Sequence, residues 1–422
     1  MTENHEEPRA GDRIRVTDRH GRTFEGILMP HHAFSGDGIV VVKMDNGYNI
    51  GVRPASEIEI LERAEEPLSS HTGPTADISG DDLPVISIVS TGGTIASFVD
   101  YKTGAVHPAM TADDFLTAVP ELSKRFNVRT RVPFSILSED MTPKHWIELA
   151  EMVAEELNTG ASGVIIPHGT DTMGYTAAAL SFLLPELPGP VVLVGSQRSS
   201  DRPSSDATMN LLAAARLTQE NIADVVIAMH ETSSDTVVAV HRGTRARKMH
   251  TSRRDAFKSI NSPVLAEIEG DNVKFLADYR KRKDVRAEVK GGLEENVRLV
   301  YSYPGLTPDT FSKMVEGAKG LVIAGTGLGH VSSALVGKLE ELRDEGVPVV
   351  MTSQCLNGTV NMNVYSTGRN IMNAGVIPAG DMLPETALVK LMWVLSQTSD
   401  MMEIKEMMLT PVAGELSDRR VE

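Results

Sequence analysis

Hydrophobic positions change their period along the chain, and each change marks a boundary. Over residues 11 to about 62, Ile14 and Val16 alternate with Arg13 and Arg15, residues 38–42 form a β-branched run, and Asp45-Asn46-Gly47 stands as a hairpin turn before residues 48–52. Alternation of period two broken by such turns predicts half-buried strands. Their number and shortness suggest a partly open SH3-like barrel, a common interaction platform. From residue 65 the sequence becomes Ser, Thr, Gly, Pro and Asp with almost nothing to bury, which predicts a linker.

Beyond it, unbroken apolar runs alternate with helical patterns, as in a parallel sheet buried on both faces. Residues 84–90, 163–167, 190–195 and 223–229 read as strands, and 143–157, 173–184 and 206–217 as helices. A polar, basic stretch at 278–290 interrupts the pattern. A second α/β pattern follows, with strands at 321–324 and 348–352 and a helix at 332–345. The predicted organisation is a β-barrel module (1–64), a linker (65–83), an α/β domain (84–285) and a second α/β domain (286–422). No repeat of fixed period is present.

Open α/β sheets bind ligands off the carboxyl ends of their strands, so the strand-end loops carry the candidate chemistry. The first reads Ser90-Thr91-Gly92-Gly93-Thr94-Ile95-Ala96-Ser97. Its glycines allow close backbone approach and its hydroxyls stand beside amides able to stabilise an oxyanion. A Gly-rich turn with a threonine cap accounts for it equally well. The second, His168-Gly169-Thr170-Asp171-Thr172-Met173, opens a helix and also fits a capping segment. A third segment, Thr244-Arg245-Ala246-Arg247-Lys248-Met249-His250-Thr251, supplies an amine. Lys248 is one of seven bases between His241 and Lys258, and most basic runs are solvated faces or phosphate contacts. Acyl transfer needs a nucleophile, a base, a group orienting the base and an oxyanion site, and these loops together hold the residue types for it.

Thr91-Gly92-Gly93-Thr94-Ile95-Ala96 and His168-Gly169-Thr170-Asp171-Thr172-Met173 resemble, in order and spacing, the two signature segments of the asparaginase/glutaminase family of threonine amidohydrolases. The resemblance spans residues 84 to about 415. It implies Thr94 as nucleophile, and Thr170, Asp171 and Lys248 as a second group of hydroxyl, carboxylate and amine. It further implies substrate contacts at Gly93 and Gly169, the substrate-carboxylate loop at Ser138, and a lid tyrosine at Tyr101. A lysine acts as a base only when neutral; burial favours that form and a neighbouring carboxylate opposes it. Lys248 is expected to help deprotonate Thr170, with a water relay assisting Thr94.

The leading β module is similar to that of the tRNA-dependent amidotransferase branch, since simple asparaginases begin almost at their first strand. That likeness implies a glutaminase passing ammonia to a partner, the branch's E subunit. The partner would bind Glu-tRNA(Gln), use ATP and Mg2+ and form Gln-tRNA(Gln). No cofactor is expected in this chain, which lacks a Gly-x4-Gly-Lys-Ser/Thr loop. A homodimer within a heterotetramer is the implied assembly. Two departures stand out: no acid lies between Cys355 and Asp381, and His330 stands where many relatives carry asparagine.

Composition narrows the alternatives. The 422 residues are 41% apolar, enough for real cores, and 57 acids against 41 bases give a net charge of −16, which excludes bulk attraction to nucleic acid or an anionic membrane. A single cysteine, Cys355, excludes an internal disulfide and reads as a buried small hydrophobe; no Cys/His cluster has zinc spacing. The polar amino terminus and strand-length apolar runs point to a cytoplasmic protein without membrane spans. The repeated methionines, including Met401, Met402, Met407 and Met408, read as packing residues. Arg280-Lys281-Arg282-Lys283 reads as a solvated surface segment, and His168 as a residue that shapes its loop. Ala324-Gly325-Thr326-Gly327-Leu328-Gly329 invites a dinucleotide-binding reading, but its third glycine is misplaced. A free-standing L-asparaginase is the rival within the family; a scaffold with a dead amidohydrolase domain is disfavoured because every catalytic position holds a competent residue.

Overall fold

The computed structural model describes residues 8–9, 11–29, 38–44, 49–55, 58–63, 83–92, 97–99, 106–108, 119, 121–198 and 205–417. The hairpin turn at 45–47, the expected linker up to residue 82, and Gly93, Thr94 and Tyr101 lie outside the described residues.

Strands β1 (Arg13–Thr17), β2 (Thr23–Leu28), β3 (Val40–Lys43), β4 (Asn49–Val52) and β5 (Glu59–Glu62) form one antiparallel sheet in the order β4-β3-β2-β1-β5. The alternation read from β1 is physical: Ile14 and Val16 are buried, and they pack with Val42 and Val52 into a core of the module's own residues.

The first α/β domain contains β6 (Val85–Val89), β7 (Ser97–Val99), β8 (Val106–Pro108), α1 (Glu121–Arg125), β9 (Asn127–Arg131), α2 (Pro143–Asn158), β10 (Val164–Pro167), α3 (Met173–Leu183), β11 (Val191–Val194), α4 (Ala207–Leu217) and β12 (Val225–His230). Then follow β13 (Val238–Arg242), β14 (Ala246–Lys248), β15 (Phe257–Ser259), β16 (Ala266–Glu269) and β17 (Asn272–Phe275). Its main sheet runs β17-β16-β13-β12-β11-β10-β6-β9. The strands from β9 to β12 are parallel, as the apolar runs predict, whereas β13, β16 and β17 extend the sheet antiparallel, which the sequence reading did not separate. From β6 the chain goes to β9 on one side and returns to β10 on the other. Such a reversal opens a crevice at the carboxyl ends of the two flanking strands, and β6 and β10 are the strands that lead into the two motif loops.

The second domain contains β18 (Val297–Tyr301), α5 (Pro308–Val315), β19 (Gly320–Gly325), α6 (Val336–Asp344), β20 (Val349–Ser353), α7 (Ser366–Asn373), β21 (Ile377–Pro378), α8 (Pro384–Leu395) and α9 (Met401–Leu409), with β18 to β21 parallel and in sequence order. The predicted helix at 332–345 opens as a 3-10 turn, Ser333–Leu335, before α6.

α3 is apolar all round and correspondingly buried. One face packs against the first sheet and the other against α8, where Phe182 stacks on Trp393 with ring centroids 5.9 Å apart, so the main core runs continuously through both domains. Met408 belongs to this core, while Met402 is exposed. Among the described residues no helix is long and apolar enough to cross a membrane.

Candidate active site

Hydrogen bonds tie the loop after β6 to the end of β10 and to the segment that follows β9. The amide and hydroxyl of Thr91 both donate to the Pro167 carbonyl at 3.1 Å, and the Thr91 carbonyl accepts from the Ile136 amide at 3.2 Å. Gly92 has φ +103°, and a Cβ there would lie 2.7 Å from the Ile136 carbonyl oxygen, so glycine is required twice over. The first motif is thus seen only as far as Gly92, beside the second motif.

The second motif is described in full. Gly169 faces Ser138, where a Cβ on Gly169 would come within 2.7 Å of the Ser138 Cβ; the Thr172 hydroxyl donates to the Ser138 carbonyl at 2.5 Å. Ser138 and Gly169 therefore meet, through a 3-10 turn (Ser138–Asp140) that precedes α2. Thr170 and Asp171 sit just before α3. Lys248, at the end of β14, donates from Nζ to Thr170 Oγ1 at 2.8 Å and to Asp171 Oδ1 at 2.9 Å. The lysine side chain is 14% exposed and that of Asp171 69%, so the amine is sheltered and its carboxylate partner faces solvent. Segments about 78 residues apart in sequence thus bring hydroxyl, acid and amine to one point.

His168 is fully buried and takes no part in this group. Its Nδ1 lies 2.7 Å from the Gly169 carbonyl, which can only accept, so Nδ1 carries the proton and Nε2 accepts from the Thr176 hydroxyl at 2.8 Å. The Thr176 oxygen accepts in turn from Trp146 Nε1 at 2.9 Å. Burial pushes the imidazole down to about 4, and the neutral ring splints the loop.

Sequence reasoning missed Gly195, at the end of β11, where a Cβ would stand 2.7 Å from the Thr170 methyl carbon and 3.0 Å from the His168 carbonyl oxygen. It also missed Asp206, which does not cap α4 with its side chain but accepts from the amides of Gln197 and Arg198 at 3.1 Å. A glycine ending an apolar run is the signal that could have marked the first.

Several expectations are corrected. The basic run around Lys248 is no open phosphate face: Arg245, Arg247, Arg253, Arg254 and Lys258 pair with Asp381, Glu385, Asp255, Asp235 and Glu231. Arg280 and Arg282 are not a solvated pair. Arg280 binds Asp224 at 2.6 Å, Arg282 donates to backbone carbonyls including Ser162 at 2.7 Å, and only Lys281 and Lys283 face water. Cys355 is exposed because it lies in the loop after β20, past the apolar run that would have buried it. The Gly325–His330 loop turns back on itself, Thr326 pairing with His330, instead of opening a helix as a dinucleotide fingerprint does. Among the described residues no cluster could hold a metal ion.

Comparison with known proteins agrees with this architecture. Residues 85–281 match the family described as "Asparaginase, N-terminal", 296–408 the "Glutaminase/Asparaginase C-terminal domain", and 9–61 the "GatD N-terminal domain". The thermostable L-asparaginase from Thermococcus kodakarensis superimposes with a TM-score of 0.73 at 34% identity, covering 79% of this chain and 100% of its own. Fold and matched domains define an asparaginase-type α/β protein. The D subunit of the glutamyl-tRNA(Gln) amidotransferase of Pyrococcus furiosus is 53% identical over 96% of this chain and 93% of its own length. Its counterpart in Methanothermobacter thermautotrophicus is 50% identical over 97% and 94%. The chain belongs to the family of glutamyl-tRNA(Gln) amidotransferase D subunits.

Proposed function

We propose that this chain is the cytoplasmic glutaminase subunit of a tRNA-dependent amidotransferase. It cleaves the side-chain amide of glutamine and passes ammonia to a partner, the E subunit. The partner converts Glu-tRNA(Gln) to Gln-tRNA(Gln) with ATP and Mg2+, binding the tRNA itself, and the assembly is a homodimer of this chain within a heterotetramer. The observation that carries the hydrolytic reading is the Lys248 amine in hydrogen-bond reach of both Thr170 and Asp171.

In this mechanism the Thr94 hydroxyl adds to the amide carbonyl carbon while giving up its proton through the water relay, the C–N bond breaks, and the nitrogen leaves as ammonia carrying that proton. Water then cleaves the Thr94 ester and releases glutamate. Lys248 takes the Thr170 proton across their 2.8 Å contact when the amine is neutral, and Asp171 orients it. A water relay assists Thr94. Ser138, Gly93 and Gly169 hold the substrate, and Tyr101 closes over it.

The leading β module favours this reading over a free-standing L-asparaginase: the Thermococcus asparaginase matches this chain along its whole length yet leaves about a fifth of this chain without a counterpart. Co-purification with the partner, followed by an assay of glutamine-dependent Glu-tRNA(Gln) conversion, is the test. Vigorous asparagine hydrolysis without partner or tRNA would favour the rival. Lys248→Met, which roughly keeps the side-chain bulk, is expected to lower turnover at least about 100-fold while glutamine binding by calorimetry is retained.

A further inference from the structure

Strand β14 has two faces, because side chains alternate along it. Ala246 and Lys248 lie on one: Ala246 is buried in the core beside α3 and Lys248 reaches Thr170. Arg247 lies on the other, Arg245 sits in the turn just before the strand, and both are held by the second domain. Arg245, 1% exposed, donates from Nη1 to Asp381 Oδ2 at 3.0 Å, from Nε to the Gly414 carbonyl at 2.8 Å and from Nη2 to Ser417 Oγ at 2.9 Å. Arg247 Nη1 donates to Glu385 Oε2 at 3.2 Å. Glu385 lies in the first turn of α8 and is nearly buried; burial pushes its carboxyl up and Arg247 pulls it back. The preceding residue joins the same grip: the Thr244 hydroxyl donates to the Ala413 carbonyl at 2.9 Å, and the Thr244 carbonyl accepts from the Thr386 hydroxyl at 2.9 Å.

We propose that the two ion pairs, Arg245 with Asp381 and Arg247 with Glu385, are positioning rungs by which the second domain sets the reach of Lys248 to Thr170. The inference rests on the reading of Lys248 as the base. Two acids four residues apart grip two arginines two residues apart, so a sliding or twisting of β14 breaks both rungs at once. Arg247 and Lys248 are adjacent, so a shift of the outer rung carries directly to the amine. A displacement near 1 Å at such a contact costs on the order of 100-fold in rate.

The outer rung is the one to test, because it is partly exposed and its loss leaves the buried Arg245 pair in place. Arg247→Met and Glu385→Gln are expected to lower kcat for glutamine hydrolysis about 10-fold or more with KM within about 2-fold. Arg247→Lys, which keeps the charge but loses the planar fork, is expected to recover part of the loss. In a Lys248→Met background, Arg247→Met is expected to change the residual rate no further, because its effect passes through the amine. Folding is checked by thermal melting, and kcat is read well below each melting temperature. Parental kcat in folded Arg247→Met and Glu385→Gln, with Lys248→Met inactive, overturns the rung proposal alone. Parental kcat in Lys248→Met overturns the base assignment and the proposal with it.

Discussion

His168 shows how a residue beside the proposed catalytic group can be kept out of proton transfer by its own hydrogen bonds. Both ring nitrogens are committed, one to a carbonyl and one to a hydroxyl already bonded to Trp146, so the ring has no free site for a substrate proton. A second imidazole, His241, is likewise buried, with Nδ1 2.9 Å from Ser259 Oγ, and burial pushes it down to about 3. In both, the folded value lies below the unfolded value of 6.5, so the unfolded chain binds more protons as pH falls. Their stabilisation is present in full above about pH 6.5 and is lost on going down toward 4 and 3, by at most about 2.7 kcal/mol per pH unit for the pair. Urea midpoints from pH 7.5 to 4 are expected to fall accordingly, and His168→Gln, which does not titrate, to show a shallower fall between pH 6.5 and 4. That His168 shapes its loop was legible from its place ahead of a helix-opening segment. Its partners were not, because Trp146 and Thr176 are set beside it by the packing of α2 on α3.

At the scale of elements, α8 is tied to the segment that follows α9 by a fully buried ion pair. Lys390 Nζ donates to Glu415 Oε1 at 2.5 Å and to the carbonyls of Met408 and Thr410, while the Glu415 carboxylate also accepts the amides of Val412 and Ala413. Removing one partner of such a pair strands the other charge, at a cost of about 3–5 kcal/mol, whereas replacing both with apolar groups is far milder. Glu415→Leu is expected to lose that much stability by urea denaturation, and Lys390→Met with Glu415→Leu to regain most of it. None of this was legible in the sequence, where Lys390 is one polar position in an apolar helix. The parallel strands of the first domain were legible because burial on both faces leaves unbroken apolar runs. The antiparallel edge was not: β16 and β17 are short, half-exposed and charged, so their run resembles the polar stretch that follows. The meeting of Thr170, Asp171 and Lys248 was legible only through motif resemblance, since spacing along the chain does not fix distance in space.

At the scale of the whole molecule, the described residues fall into a five-stranded antiparallel module with its own small core and a pair of α/β domains sharing one large core. Because that small core is made of the module's own residues, removal of residues 1–82 is expected to leave glutamine hydrolysis in the complex within about 2-fold. Gln-tRNA(Gln) formation is expected to fall more steeply; equal loss of both rates in the same ammonia and tRNA assays would place the module inside the hydrolytic machinery.

Thr244 and the residue whose carbonyl it binds, Ala413, are 169 positions apart. At ribosomal speeds the first waits roughly 10 to 30 s for the second. A nascent chain therefore holds its lysine strand by the earlier contacts with Asp381, Glu385 and Thr386 before the last of its anchors is made.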